Sequence, residues 1–171
     1  METIEKLEIV KGGPYRFIGK SMYVRAGSSD EFCFFILGVN WIWEKLDKIN
    51  EYATVDNSNA CLVTWDKYDD KSELMGYTAG RFMKADTPVP EDMDYFDIPE
   101  GYIGKCIVRN GDAQKILKDE AQKQGYEAAT HIWHAEIYPS HQQCLDIAAL
   151  RHENLGDYSF GSYIPCNKKD N

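Results

Sequence analysis

Both halves of the chain open alike. Ile18-Gly19-Lys20 leads to Val24-Arg25-Ala26-Gly27, and Ile103-Gly104-Lys105 leads to Val108-Arg109-Asn110-Gly111. Each run is apolar and β-branched and ends at a turn, which predicts a strand: Tyr15 to Arg25 in one half, Tyr102 to Arg109 in the other. Helical spacing follows in both. In the first half Phe32, Phe35, Ile36, Val39, Ile42, Trp43, Leu46 and Ile49 keep a helical period that is firmest from Trp41 to Glu51, and Ser28 with Glu31 has capping-box spacing. In the second, Asp112 stands at an N-cap position, Ile116, Leu117 and Ala121 face inward, and Gly125 marks the end. Two more strands close each half. They are Ala60 to Tyr68 and Leu74 to Met83 in the first, His131 to Ser140 and Tyr158 to Ile164 in the second. Short strands at Leu7 to Val10 and Met93 to Ile98 precede the halves, and His141 to Gly156 is a long connection with a helical turn around Leu145 to Leu150. Strand-helix-strand-strand, stated twice, buries its apolar faces when one half packs on the other about an approximate two-fold. The expected class is therefore α+β: antiparallel sheet, helices on one side, a groove between the halves. Residues 1–171 form one domain, with halves at about 5–86 and 91–165 joined by the stiff Thr87-Pro88-Val89-Pro90.

Charge and cysteine usage narrow the function classes. With 28 acidic against 19 basic residues the net charge is −9, which repels a phosphate backbone and argues against direct nucleic-acid binding. The 5 cysteines are dispersed and form no CxxC pair, so neither a disulfide framework nor a zinc site is expected. No apolar run reaches the roughly 18 residues of a membrane span, and the charged start lacks a signal-peptide pattern, so a cytoplasmic protein is expected. No P-loop or Gly-rich phosphate loop is present, and no cofactor is expected.

The chemistry concentrates in His131-Ile132-Trp133-His134-Ala135-Glu136-Ile137-Tyr138-Pro139-Ser140. On a strand His134, Glu136 and Tyr138 share one side, while Trp133, Ala135 and Ile137 form an apolar core face on the other. A carboxylate flanked by an imidazole and a phenol either meets solvent or meets a cationic or proton-donating partner, because burying it alone is costly. His131 and His134 point to opposite faces, so no metal site is expected there. Asp66-Lys67-Tyr68 occupies in the first half the place of Glu136-Ile137-Tyr138 in the second, and two carboxylates on one cleft can divide acid and base roles. Trp41 and Trp43 lie two apart on a helix, so one faces the core and the other a groove. Trp65 and Trp133 are expected to pack against helices.

Trp43-Glu44-Lys45-Leu46, Tyr77-Thr78-Ala79-Gly80-Arg81-Phe82, Met93 to Ile98 running into Pro99-Glu100-Gly101-Tyr102, and Ala135-Glu136-Ile137-Tyr138 carry a resemblance. In order and spacing they resemble the GyrI-like small-molecule-binding domain, also found as the effector-binding domain of AraC- and MerR-type transcription activators. The resemblance implies a ligand groove between two pseudo-symmetric halves, with Glu136 at its base and Tyr102, Tyr138, Trp41, Trp43, Tyr77 and His134 as lining candidates. No helix-turn-helix segment precedes the domain here, which implies a stand-alone binder of amphipathic, aromatic, cationic compounds. Two alternatives accompany it. One is a hydrolase that adds water to strained electrophilic natural products through Glu136, with Asp66 or His134 assisting. The other is a protein-interaction module that docks on a topoisomerase.

Overall fold

The computed structural model describes residues 1–25, 39–53, 59–64, 74–111, 113–153 and 156–169. Among them lie ten strands, all antiparallel to their partners, and three α-helices, giving the α+β class that the repeat predicts. The strands are β1 (Thr3–Ile4), β2 (Glu8–Gly12), β3 (Tyr15–Arg25), β4 (Asn59–Thr64), β5 (Leu74–Lys84), β6 (Asp94–Ile98), β7 (Gly101–Arg109), β8 (Tyr126–Ala128), β9 (Trp133–Tyr138) and β10 (Ser159–Lys168). The helices are α1 (Val39–Leu46), α2 (Gln114–Lys123) and α3 (His141–His152). The sheet order is β1-β7-β10-β9-β4-β5-β3-β6, with β2 also on β7 and β8 also on β10. The two halves, β3-β5-β4 and β7-β10-β9, therefore meet where β4 pairs with β9.

The sheet is open but strongly rolled, and the connections require it. Six steps separate β7 from β6 in the sheet order, about 29 Å on a flat sheet. Yet only Pro99 and Glu100 join them, and three Cα steps reach at most about 11 Å. Ring contacts agree. Phe82 on β5 and Tyr163 on β10 are three strands apart, but their centroids lie 5.8 Å from each other.

Rolling gives the sheet two buried faces. The inner face holds Phe17, Leu62, Phe82, Ile98, Ile103, Trp133, Ala135 and Ile137, with Phe17 meeting Phe82 edge-on at 4.9 Å. The outer face is covered by the helices, through Ile42, Trp43 and Leu46 of α1, Leu117 and Ala121 of α2, and Cys144, Ile147 and Ala148 of α3. Trp133 therefore packs on the inner face, near Phe82 at 6.1 Å, and not against a helix as expected. The alternation leaves solvent or a partner open for the polar face of β9; in the structure that face too is buried, under α3.

Three further expectations shift. The repeat motif does not superpose residue for residue: Ile18 belongs to the helix-covered core and Ile103 to the inner one, while Val24 and Val108 share the helix side. A slip of one residue along a strand exchanges faces. The first helix ends at Leu46 and continues as a 3-10 turn over Asp47–Tyr52, kinked at Ile49. The connection after β9, expected to hold one helical turn, holds all of α3. Ser140 caps it by accepting from the Gln143 amide at 3.2 Å. The Ser28–Glu31 box, Trp65, Asp66 and Asp112 lie outside the described residues.

Candidate functional site

Glu136 sits in the middle of β9, opposite Cys61 of β4 on one side and Ser162 of β10 on the other, at the junction of the halves. Alternation sends its side chain to the helix-covered face, where the residue is only 6% exposed. The strand neighbour on the same face, Tyr138, donates its hydroxyl to Oε2 at 2.5 Å. Tyr77 lies two strands away on β5, across Val63, and donates to the same oxygen at 2.7 Å. The positive partner comes from α3. Arg151 spans both oxygens, Nη2 to Oε1 at 2.8 Å and Nη1 to Oε2 at 3.1 Å. Its guanidinium is itself held over Phe160 at 4.4 Å and Tyr158 at 5.4 Å.

The electrostatics follow from this geometry. Burial by itself raises the Glu136 carboxyl, but the Arg151 charge, its hydrogen bonds and the two phenols outweigh that, and the pKa falls to about 2. Burial pushes both Tyr77 and Tyr138 well above the ordinary phenol range, and the adjacent carboxylate pushes the same way. The phenols are therefore fixed as donors. Burial opposes the Arg151 charge, yet Glu136 more than compensates and raises the guanidinium well above its ordinary value. Both ions are charged, and they form a two-pronged pair inside a collar of rings.

The remaining candidates distribute differently. Trp43 is the core member of the tryptophan pair: it donates its indole N–H to the Gly80 carbonyl at 3.2 Å and meets His141 of α3 edge-on at 5.9 Å. It thereby ties α1 to α3 above the junction. Trp41 is 51% exposed and lies against the Lys45 ammonium. His134 shares the Glu136 face of β9, opposite Val63, and is half-buried. Tyr102 pairs with Cys166 and rings against Tyr126 at 5.1 Å. It lies four residues along β7 from Cys106, the residue in Glu136's own cross-strand row, about 13 Å down the strand. Structure thus gathers Glu136, Tyr77 and Tyr138, and leaves Tyr102 and Trp41 apart from them. Among the described residues no cluster of three or more His, Cys, Asp or Glu side chains is placed to hold a metal ion.

Arg151 is the member of the cluster that sequence reasoning missed. The available signal was its spacing: Cys144, Ile147, Ala148 and Arg151 lie on one side of a helix, so a cation sits in line with an apolar stripe.

No protein-family model and no curated protein matches the sequence. Solved structures do match. The EcmrR C-terminal domain aligns with a TM-score of 0.52 and 9% identity, over 96% of this chain and 98% of that one. EcmrR in its complex with DNA in EcmrR-RPo aligns with a TM-score of 0.55 and 11% identity, and the match takes in 96% of this chain but only 58% of that longer one. SAV2435 bound to tetraphenylphosphonium aligns more loosely, at 0.49 and 8% identity, over 95% of this chain and 94% of that one. At these identities the likeness is one of fold. It agrees with the fold that the GyrI-like resemblance implies.

Proposed function

We propose that this chain is a small-molecule-binding module whose ligand, an amphipathic aromatic cation, engages Glu136, Tyr77 and Tyr138 at the junction of the halves by taking the place of Arg151. The observation that carries the reading is the origin of the counter-charge. A buried carboxylate needs a cation, and here it comes from a separate helix inserted between two strands of the second half, not from the sheet that holds Glu136. A positively charged ligand that meets Glu136 compensates the loss of Arg151, while a neutral one leaves a buried anion unpaired. The rings that already hold a guanidinium, Tyr158 and Phe160, are equally suited to an aromatic cation.

The same geometry argues against the hydrolase alternative at Glu136. Its oxygens are taken up by Arg151 and two phenols, and a carboxylate held at a pKa of about 2 is a weak base.

Thermal-shift and calorimetric titrations with tetraphenylphosphonium and neutral tetraphenylmethane derivatives made soluble test the proposal. The expected result is selective stabilisation by the cation in the native protein. Arg151→Met should bind the cation more tightly, because the internal competitor is gone, and Glu136→Gln should lose the preference for the cation. Equal responses to cation and neutral compound in all three proteins would overturn the assignment.

A further inference from the structure

A second hollow opens along β7, β10 and β9; its floor lies on the inner face of the sheet, and its lining also takes in Phe160 and, at the start of α3, Gln143. It measures about 460 Å³, within the range of small-molecule sites. Its floor is one cross-strand row: Ile107 of β7, Gly161 of β10 and Ile137 of β9 are paired in register. Gly161 contributes no side chain to this row, and none could be added without crowding, since a Cβ there would lie 2.9 Å from that of Ile137. The result is a bare strip between two isoleucines, one of which, Ile107, is 37% exposed. Isoleucine at that exposure beside a hollow is an apolar surface with nothing on it.

The next row supplies the charge. Lys105 and Tyr163 are paired neighbours, and the Lys105 ammonium lies 4.7 Å from the Tyr163 ring centroid, at the wall of the hollow. Glu5 and Glu8 also line the hollow, and each has a basic partner of its own. Glu8 stands opposite Lys105 in the β2–β7 ladder, but its partner is Lys6 at 3.6 Å, and Glu5 is bound by Arg109 at 2.5 Å. Among the described residues no carboxylate pairs with Lys105. An ammonium held at an apolar wall without an anion is half of a recognition site.

We propose that this hollow is a second ligand site, for a planar apolar molecule bearing one anionic group. The ring system lies on Ile107, Gly161 and Ile137, and the anion meets the Lys105 ammonium. The site takes the opposite charge from the one at Glu136 and shares only the Phe160 ring with the Arg151 cluster, so different probes and different variants test the two assignments.

The probe is 8-anilinonaphthalene-1-sulfonate, with uncharged N-phenyl-1-naphthylamine as its partner. Fluorescence titration of the folded protein should give saturable binding with one site per chain. Lys105→Gln should weaken the sulfonate about tenfold and leave the uncharged compound within about twofold, as expected for loss of one charge-assisted contact. Ile107→Asp should weaken both compounds. Thermal melts of each variant establish that it is folded, and amide NMR shifts on titration should cluster at Ile107, Gly161 and Tyr163. Unchanged sulfonate binding in Lys105→Gln, equal loss of both compounds in that variant, or shifts clustered at Tyr77, Tyr138 and Arg151 would each overturn the proposal.

Discussion

Replacing Arg151 by methionine isolates the interaction on which the buried site depends. Methionine keeps an unbranched apolar stem that can lie against Phe160 and Tyr158 and removes only the charge and its two hydrogen bonds. The native arrangement draws the Glu136 pKa from its ordinary 4.5 to about 2, and at about 1.4 kcal/mol per pH unit that interval corresponds to about 3 kcal/mol. The sign follows from the order of the two values. The folded carboxyl titrates below the unfolded one, so its contribution is complete above about pH 4.5 and drains away as the pH falls toward 2. Without Arg151, burial dominates and the folded pKa rises above the unfolded value. The contribution then reverses: it is present in acid and is lost as the pH rises through the raised pKa. At pH 7 the variant should therefore be about 3–5 kcal/mol less stable, the cost of stranding one member of a buried pair. Urea denaturation of the native protein, Arg151→Met, Glu136→Gln and the double variant closes a cycle. The double variant should recover much of the loss, with a coupling of about 3 kcal/mol. A coupling below about 0.5 kcal/mol, or the same loss of stability between pH 5 and 2.5 in the native protein and in Arg151→Met, would refute the reasoning.

Other consequences are simpler to test. Trp43→Ala should cost about 3–5 kcal/mol in urea denaturation, because it empties a buried position and removes the indole donor to the Gly80 carbonyl, whereas Trp41→Ala on the exposed side should stay within about 0.5 kcal/mol; equal losses would contradict the placement of the pair. Burial raises the thiols of Cys106 to about 12 and Cys166 to about 11, so both should resist iodoacetamide at pH 8 in the folded protein and react after unfolding, as peptide mass mapping would show. Rapid native labelling at either position would contradict it.

How far the sequence could be read depended on how local each signal was. The strand period placed Glu136 and Tyr138 on one face of β9, and the turn residues marked β3, β5, β6 and β7 to within two residues, because alternation and punctuation lie within the segments themselves. The roll of the sheet did not lie within any segment. It follows from the two-residue link between β6 and β7, whose meaning appears only once their places in the sheet order are known. That is why Trp133 is expected beneath a helix and why solvent stays an option for Glu136: Ala135 and Ile137 alternate with polar residues as they would on a one-sided sheet, although a rolled sheet encloses both sides.

The missed Arg151 has a more instructive cause. Reading β9 alone leaves two options for Glu136, solvent or a partner, and pattern cannot choose between them. The choice is made by a residue that returns through α3, and α3 has a weak helical signature: its inward stripe is Cys144, Ile147, Ala148 and Arg151, one thiol, one methyl and one cation around a single large aliphatic residue. A stripe so weakly apolar does not announce a core helix, and its least apolar member is the one that matters. Where a strand puts a carboxylate between two core rings, and the helix after it carries an arginine in line with its buried side chains, the two charges have only each other, since neither can be buried alone without a cost of several kcal/mol. Glu136 and Arg151 meet that condition, and so the sequence of α3 was as much a part of the site as the sequence of β9.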